Sequence, residues 1–318
     1  MIGIDIGGTK CAVSVGKEEN GGLEIVSKKI IPTDLTISPY QMIERICSIV
    51  EDLTDEIDDI GISCGGPLNA EKGTILSPPN LLGWDNVEIV KYLKQKYGAE
   101  VHLENDANAC AVAEWKYGAG KGIKNMVFLT FGTGLGAGLI LNGQLYRGAN
   151  DMAGEVGHIR LSVFGPVGYG KTGSFEGFCS GGGISQIGKM YAIEKLQQGE
   201  TTSFCKTLSG LNDITAKSIA DFANSGNKDA ISVYNTCGEM LGKGLAIVID
   251  VLNPERIVIG SIFERCEHLL RVPMEKVLRK ECLSYSLSAC EIVPAKLKEN
   301  IGDYAALAVA AINKKERV

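Results

Sequence analysis

The chain has 318 residues, 45% hydrophobic and 22% charged, enough for two domains and a large core in an ordinary globular protein. Its formal net charge of −6 and pI of about 5.3 leave no basic field for nucleic acid or for an anionic membrane. Ten scattered cysteines without a C-x-x-C pair, no secretory segment ahead of the first apolar strand, and no apolar run near the ~18 residues of a bilayer span lead us to expect reduced thiols in a cytoplasm.

Forty glycines against nine prolines imply many tight backbone turns, some of them around a ligand. Ile2-Gly3-Ile4-Asp5-Ile6 is apolar and β-branched and predicts a strand; Gly7-Gly8-Thr9-Lys10 turns it, and Cys11 to Val15 returns as a second. A third strand, Leu23 to Ile31, follows the turn signal Asn20-Gly21-Gly22. Glycines in such a turn let backbone N–H groups approach a phosphate, though a plain hairpin uses the same residues. Asp5 is odd inside an apolar strand, because a buried carboxylate is costly unless it is paired or near a metal. The stretch is not a Walker loop: the G-x-x-x-x-G-K-[ST] spacing is absent and a strand, not a helix, comes next. Ser38-Pro39 opens a helix to about Asp52, with Met42, Ile43, Ile46, Ile49, Val50 and Leu53 on one face. Asp59 to Cys64 is the next strand and ends at Gly65-Gly66-Pro67. The irregular loop Ser77 to Trp84 offers Asn80 to a polyol with Trp84 beneath it, or simply contains a turn asparagine. Val87 to Tyr97 reads as an amphipathic helix.

Val101 to Leu103 is a short strand that runs into Glu104-Asn105-Asp106-Ala107-Asn108, and a helix is expected from Ala107 to Trp115. Asn105 or Asp106 can cap it. A carboxylate at a strand-to-helix junction also sits where α/β proteins place their chemistry, so Asp106 is a helix cap or a general base. The opening pattern returns as a strand Met126 to Phe131, the turn Gly132-Thr133-Gly134-Leu135-Gly136, and a strand Ala137 to Leu141. This duplication has too long a period for a solenoid and gives each half a glycine turn able to bind phosphate. In Gly154-Glu155-Val156-Gly157-His158 the Glu and His are three apart, on one side of a helical turn, and Glu176 follows. With Asn105 and Asp106 these side chains suit a neutral polyol, whose hydroxyl groups they can accept. Helices begin near Gly183, at Thr215 and at Ala230, the last running to Leu252 before Asn253-Pro254. Arg256 to Gly260 and Cys290 to Pro294 read as strands and Asp303 to Asn313 as a terminal helix. The alternation, without a low-complexity linker, predicts an α/β protein of two lobes.

Four motifs taken together, Ile4-Asp5-Ile6-Gly7-Gly8-Thr9-Lys10, Glu104-Asn105-Asp106-Ala107-Asn108, Gly132-Thr133-Gly134-Leu135-Gly136 and Gly154-Glu155-Val156-Gly157-His158, resemble those of the ROK family (repressors, open reading frames and sugar kinases). They come in that family's order and cover nearly the whole chain. The resemblance implies the actin-like ATPase (ribonuclease H-like) fold, with two lobes and a cleft between them. The small N-terminal α/β lobe would span 1–115, with a C-terminal helix at about 301–318 packing back on it, and the large α/β lobe 116–300. It implies a cytoplasmic ATP-dependent hexose kinase, acting by default on glucose at O6, with Asp106 as general base. Gly66, Asn80, Asn105, Glu155, His158 and Glu176 would hold the sugar. Gly7, Gly8, Thr9, Lys10, Thr133 and Gly134 would cradle the phosphates of ATP, Asp5 would be an outer partner of Mg²⁺, and Gly260 would lie near the adenosine. A homodimer is implied, with the helix from Ala230 contributing to its contact; neither nucleic acid nor a membrane is expected as a partner.

The chain departs from the family pattern in two respects. Many members carry a zinc site of one His and three cysteines spaced C-x-C-G-x-x-G-C-x-E, but here Val167, Tyr169 and Ser174 stand at the cysteine positions. Val cannot ligate zinc and the other two are poor ligands, so no structural zinc is expected. Packing by Phe164, Tyr169 and Phe175 would then order the loop before Glu176. Ser261 stands where the family usually has a further glycine, which predicts altered nucleotide affinity and not its loss. Two rival functions remain: a repressor, which would carry a DNA-binding helix-turn-helix ahead of the first glycine turn, and a sugar-binding protein that has lost catalysis.

Overall fold

The computed structural model describes residues 1–19 and 21–312. Part of the turn expected at Asn20 and the end of the terminal helix expected to reach Asn313 therefore lie outside the described residues. Strands β1 (Ile2–Ile6), β2 (Lys10–Glu19) and β3 (Gly22–Pro32) form an antiparallel meander. Helix α1 (Pro39–Leu53) starts where Ser38 predicts it, with Ser38 and Gln41 capping each other reciprocally. Next come β4 (Asp59–Cys64), the small ribbon β5 (Leu68–Asn69) and β6 (Thr74–Ile75), α2 (Ile89–Tyr97), β7 (Glu100–Asn105) and α3 (Asp106–Tyr117). Strands β8 (Met126–Phe131), β9 (Leu135–Leu141) and β10 (Gln144–Tyr146) follow, then a 3₁₀ turn at Val156–His158 and a second ribbon, β11 (Val167–Gly168) and β12 (Lys171–Thr172). The remainder is α4 (Phe175–Phe178), α5 (Gly181–Gln197), α6 (Ala216–Asn224), α7 (Lys228–Leu252), β13 (Arg256–Ile259), α8 (Ile262–Glu281), α9 (Ser284–Ala289), β14 (Glu291–Pro294) and α10 (Ile301–Ala310). The two larger sheets have strand orders β3-β2-β1-β4-β7 and β10-β9-β8-β13-β14.

The chain divides into two compact units: Met1–Phe128 with Gly138–Ala153 and the segment from Lys296, and Leu129–Ala137 with Gly154–Ala295. In the first, β1, β4 and β7 run parallel, with Asp5 beside Ser63 and Ser63 beside Glu104 in the register. The period of two sends Ile2, Ile4 and Ile6 into the core with Met42, Ile43 and Ile46 of α1. The alternate residues face α10. There Gly3 and Gly61 are register partners, and a Cβ on Gly61 would lie 2.1 Å from the Ala306 carbonyl oxygen. A Cβ on Gly3 would lie 2.8 Å from the Leu307 nitrogen. These two glycines serve close packing of a helix on a sheet, a role beyond the turns that composition implies.

In the second unit α7 packs on α8 through Gly238 and Gly242, four residues apart, whose missing Cβ atoms would lie 2.6 Å from Pro273 Cγ and 2.6 Å from the Met274 carbonyl oxygen. Helices α8 and α9 were not anticipated. Pro273 sits inside α8, where it removes one backbone donor, and its periodic apolar residues (Phe263, Cys266, Leu270, Met274 and Leu278) are interleaved with charges. No helix among the described residues is long and apolar enough to cross a membrane.

Candidate active site

In the first unit the C-terminal ends of three parallel strands carry the predicted residues: Asp5 on β1, Gly65-Gly66 after β4, and Asn105-Asp106 where β7 meets α3. Asn105 caps α3 through its side-chain oxygen, which accepts the Ala107 N–H at 3.0 Å, and Asp106 Oδ1 accepts the same N–H at 2.8 Å. One bond of Asp106 is thus a cap bond, and its carboxyl still reaches solvent. Gly66 lies against Asn105: a Cβ there would sit 3.2 Å from Asn105 Nδ2, and the Gly66–Pro67 peptide is cis. The Gly7-Gly8-Thr9-Lys10 turn closes with the Gly7 N–H donating to the Lys10 carbonyl at 3.1 Å. Gly8 is required there because a Cβ would strike the Asn80 carbonyl oxygen at 2.2 Å. The exposed Asn80 side chain is thereby brought to the first glycine turn, and Trp84 is buried in the core.

Burial, then the neighbouring carboxylates of Asp106 and Asp303, push Asp5 up from 3.8 to about 6, against an opposing hydrogen bond from Ser63 and the charge of Lys10. Crowding by protein atoms raises Asp106 too, against its two backbone hydrogen bonds. The residue is exposed, so water screens that lift.

The second unit gathers the other half of the predicted residues. The turn Gly132-Thr133-Gly134 is closed by the Gly132 N–H donating to the Gly134 carbonyl at 3.1 Å. The Gly181 N–H, at the start of α5, donates to the Gly132 carbonyl at 2.8 Å. Glu176 Oε2 accepts the Leu135 N–H at 3.0 Å. Glu155 precedes a single 3₁₀ turn and His158 ends it, both exposed, and the turn is pinned to β9 by the Ala137 N–H donating to the Gly154 carbonyl at 3.0 Å. Gly154, at φ +93°, has no room for a Cβ, which would fall 2.0 Å from the Ala137 carbonyl oxygen. Gly260 follows β13 and donates its N–H to the Leu129 carbonyl at 3.0 Å; Ser261 Oγ lies 3.4 Å from where a Cβ on Gly132 would be. Thr133, Gly134, Glu155, His158, Glu176 and Gly260 thus belong to one unit, and Asp5, Gly7, Gly8, Thr9, Lys10, Gly66, Asn80, Asn105 and Asp106 to the other.

Magnesium suits the first set: it keeps most of its water and takes one or two carboxylates plus substrate phosphates, and Asp5 and Asp106 already repel each other. Zinc does not suit the second set, because Val167, Tyr169 and Ser174 supply no thiolate. Among the described residues no group of three or more His, Cys, Asp or Glu is placed to hold a metal ion. The expected packing by aromatic rings is only partly found. Phe175 is fully buried, but Phe164 is 82% and Tyr169 76% exposed.

Some supporting residues went unnoticed in the sequence. Buried Glu104 accepts from the Asn105 N–H and Asn108 Nδ2, both at 3.0 Å, and pairs with Arg147 Nε at 2.7 Å. Thr33 Oγ1 donates to the Gly7 carbonyl at 2.6 Å and its N–H to the Thr9 carbonyl at 3.0 Å, so the residue that follows β3 fixes the first turn. Glu104 was visible as part of a motif. Nothing local marks Arg147 or Thr33, which act only through the fold.

The pattern of the ROK family matches residues 1–312, and the chain belongs to that family. Its fold is the actin-like ATPase fold, a mixed α/β architecture. It is 33% identical over 287 residues to a glucokinase of Streptomyces coelicolor, covering 88% of this chain and 87% of that protein. It is 28% identical over 261 residues to a xylose repressor of Caldicellulosiruptor bescii, covering 82% of this chain and 64% of the repressor. Among solved structures it resembles a ROK family glucokinase from Streptomyces griseus in complex with glucose and AMPPNP, with a TM-score of 0.74 and 28% identity over 96% of this chain and 97% of that one.

Proposed function

We propose that the protein is an ATP-dependent sugar kinase, acting on a hexose at a primary hydroxyl, with glucose at O6 the first candidate. The observation that carries the reading is Asp106, an exposed residue at the N-terminus of α3, next to Asn105, which lies against Gly66, and within electrostatic reach of Asp5. The glucokinase relatives and the glucose and AMPPNP complex of the S. griseus protein support it. In this reading Asp106 accepts the sugar hydroxyl proton as the new O–P bond forms, and the bond from the γ-phosphorus to the bridging oxygen breaks, its electron pair leaving with ADP. Gly66, Asn80, Asn105, Glu155, His158 and Glu176 orient the ring. The Gly7–Lys10 and Thr133–Gly134 turns offer N–H groups to the phosphates, with Gly260 near the adenosine. Bound Mg²⁺ would neutralise charge on the β- and γ-phosphates, and Asp5 would meet its water shell. The two compact units serve as the lobes, and the active species is a cytoplasmic homodimer, the state that sedimentation would report.

A coupled ADP-release assay over a panel of hexoses tests the reading. Asp106→Asn should keep sugar affinity and lose roughly 10²–10⁴-fold in turnover. Full turnover in that variant would remove Asp106 from the role. A regulatory reading draws on the likeness to the xylose repressor. Absence of ADP release with any sugar, together with a gel shift on DNA, would favour it.

A further inference from the structure

Glu176 is tied to the second glycine turn. Its Oε2 accepts the Leu135 N–H at 3.0 Å and would lie 2.8 Å from a Cβ on Gly134. A carboxylate accepting a backbone N–H is about twice as strong a partner as a neutral acceptor, so the shape of the turn depends on where Glu176 is held. Yet Glu176 is carried by α4, whose four residues are far too few for a self-supporting helix. The loop around it must hold it.

Two side chains do most of this. Ser174 Oγ, fully buried, accepts the Gly177 N–H at 3.0 Å and donates to the Gly168 carbonyl at 3.4 Å, so it caps α4 and ties it to β11. Gln186, from α5, pairs with both backbone groups of Val167: its Oε1 accepts the N–H and its Nε2 donates to the carbonyl, each at 2.9 Å. Backbone bonds complete the loop, with the Phe175 N–H donating to Ile159 at 2.7 Å and the Gly173 N–H to Pro166 at 2.8 Å. The Phe175 ring seats on α7, where a Cβ on Gly244 would lie 2.3 Å from it.

We propose that Ser174 and Gln186 are positioning residues: they hold the segment from Ile159 to Phe178 and, through Glu176, set the shape of the Gly132–Gly134 turn without a metal. The kinetic consequence rests on the kinase reading above; the structural consequence does not. Amide hydrogen exchange and steady-state kinetics on the full chain separate the two. In Ser174→Ala and in Gln186→Met, which keeps its length but loses both bonds, exchange at Leu135 and Gly177 should quicken by about fivefold to tenfold while α7 stays as protected as in the parent. Ser174→Thr, which keeps the cap oxygen, should restore the parent rate. KM for ATP should rise about fivefold in the first two variants, whereas a residue that only stabilised the fold would lower the melting temperature and leave KM alone. A zinc chelator should change neither exchange nor turnover of the parent. Unchanged exchange at Leu135 in both variants would overturn the proposal, as would one zinc per chain whose removal loosens the loop. If the parent phosphorylates no sugar, the kinase reading falls while the exchange result still decides this one.

Discussion

Asp5 is held in the ionisation state its surroundings disfavour. Its carboxyl, raised to about 6, binds a proton more tightly in the folded chain than in the unfolded one. The unfolded group ionises near 3.8, so between about pH 4 and pH 6 stability falls as pH rises, and the loss is complete above the folded value. The shift from 3.8 to about 6 is worth at most about 3 kcal/mol. Asp5→Asn should therefore match the parent near pH 4 and exceed it by up to about 3 kcal/mol above pH 6, in urea unfolding across the series. A pH-independent difference would refute the assignment. A group kept at such a cost is expected where chemistry needs it. Ser261 is a second strained residue, at φ 60° and ψ −106°, a conformation glycine adopts far more readily. Ser261→Gly should stabilise the fold by about 1 kcal/mol in the same assay, and its KM for ATP reports whether the serine matters to nucleotide. Asp5 and Asp106 could be picked out from sequence because one interrupts an apolar strand and the other stands at a strand-to-helix junction. The conformation of Ser261 could not, because φ is imposed by the junction of β13 and α8.

At the level of elements, strands were read well where burial on both faces makes an unbroken apolar run. Asp59 to Cys64 was placed without error, and all six of its residues are buried. Helix starts were legible where a cap chemistry precedes them, as at Ser38 and at Thr215, whose side chain accepts the Ser218 N–H at 3.0 Å. Helix α8 was missed because a proline inside an amphipathic pattern reads as a stop, although tertiary packing on Gly238 and Gly242 overrides it. Gly3 and Gly61, both inside expected strands, leave a shallow trough in the sheet that α10 occupies, a packing role that no local signal reveals. Gly61→Ala should cost about 3 kcal/mol by overpacking, whereas Gly22→Ala, whose Cβ would meet only Glu19 at an ordinary 3.5 Å, should stay within about 0.5 kcal/mol. Equal losses in chemical denaturation would show that α10 can shift away.

On the scale of the molecule, the first compact unit is assembled from three separate stretches of chain. Its last stretch is bolted on by Glu114, a fully buried side chain whose Oε1 accepts the N–H groups of Lys296 and Leu297 at 2.9 and 2.7 Å. Beyond it α10 buries Ala305 to Ala310 against β1, β4 and α3. A chain ended after Ala295 should lose more than the ~5–15 kcal/mol that holds a typical domain together. It should show no cooperative urea transition for this unit, and ANS should bind it. A sharp transition would mean that the sheet stands alone. The alternation of elements announced an α/β protein, but the return of residues 138–153 to the first unit depends on long-range contacts such as Arg147 with Glu104, which leave no trace in local pattern. A ribosome delivers the strand bearing Asp5 before all of the second unit and delivers its covering helix after it. For that interval the nascent sheet has one bare side, so the yield of active protein in a cell should track the supply of chaperones more closely than the stability of the finished molecule.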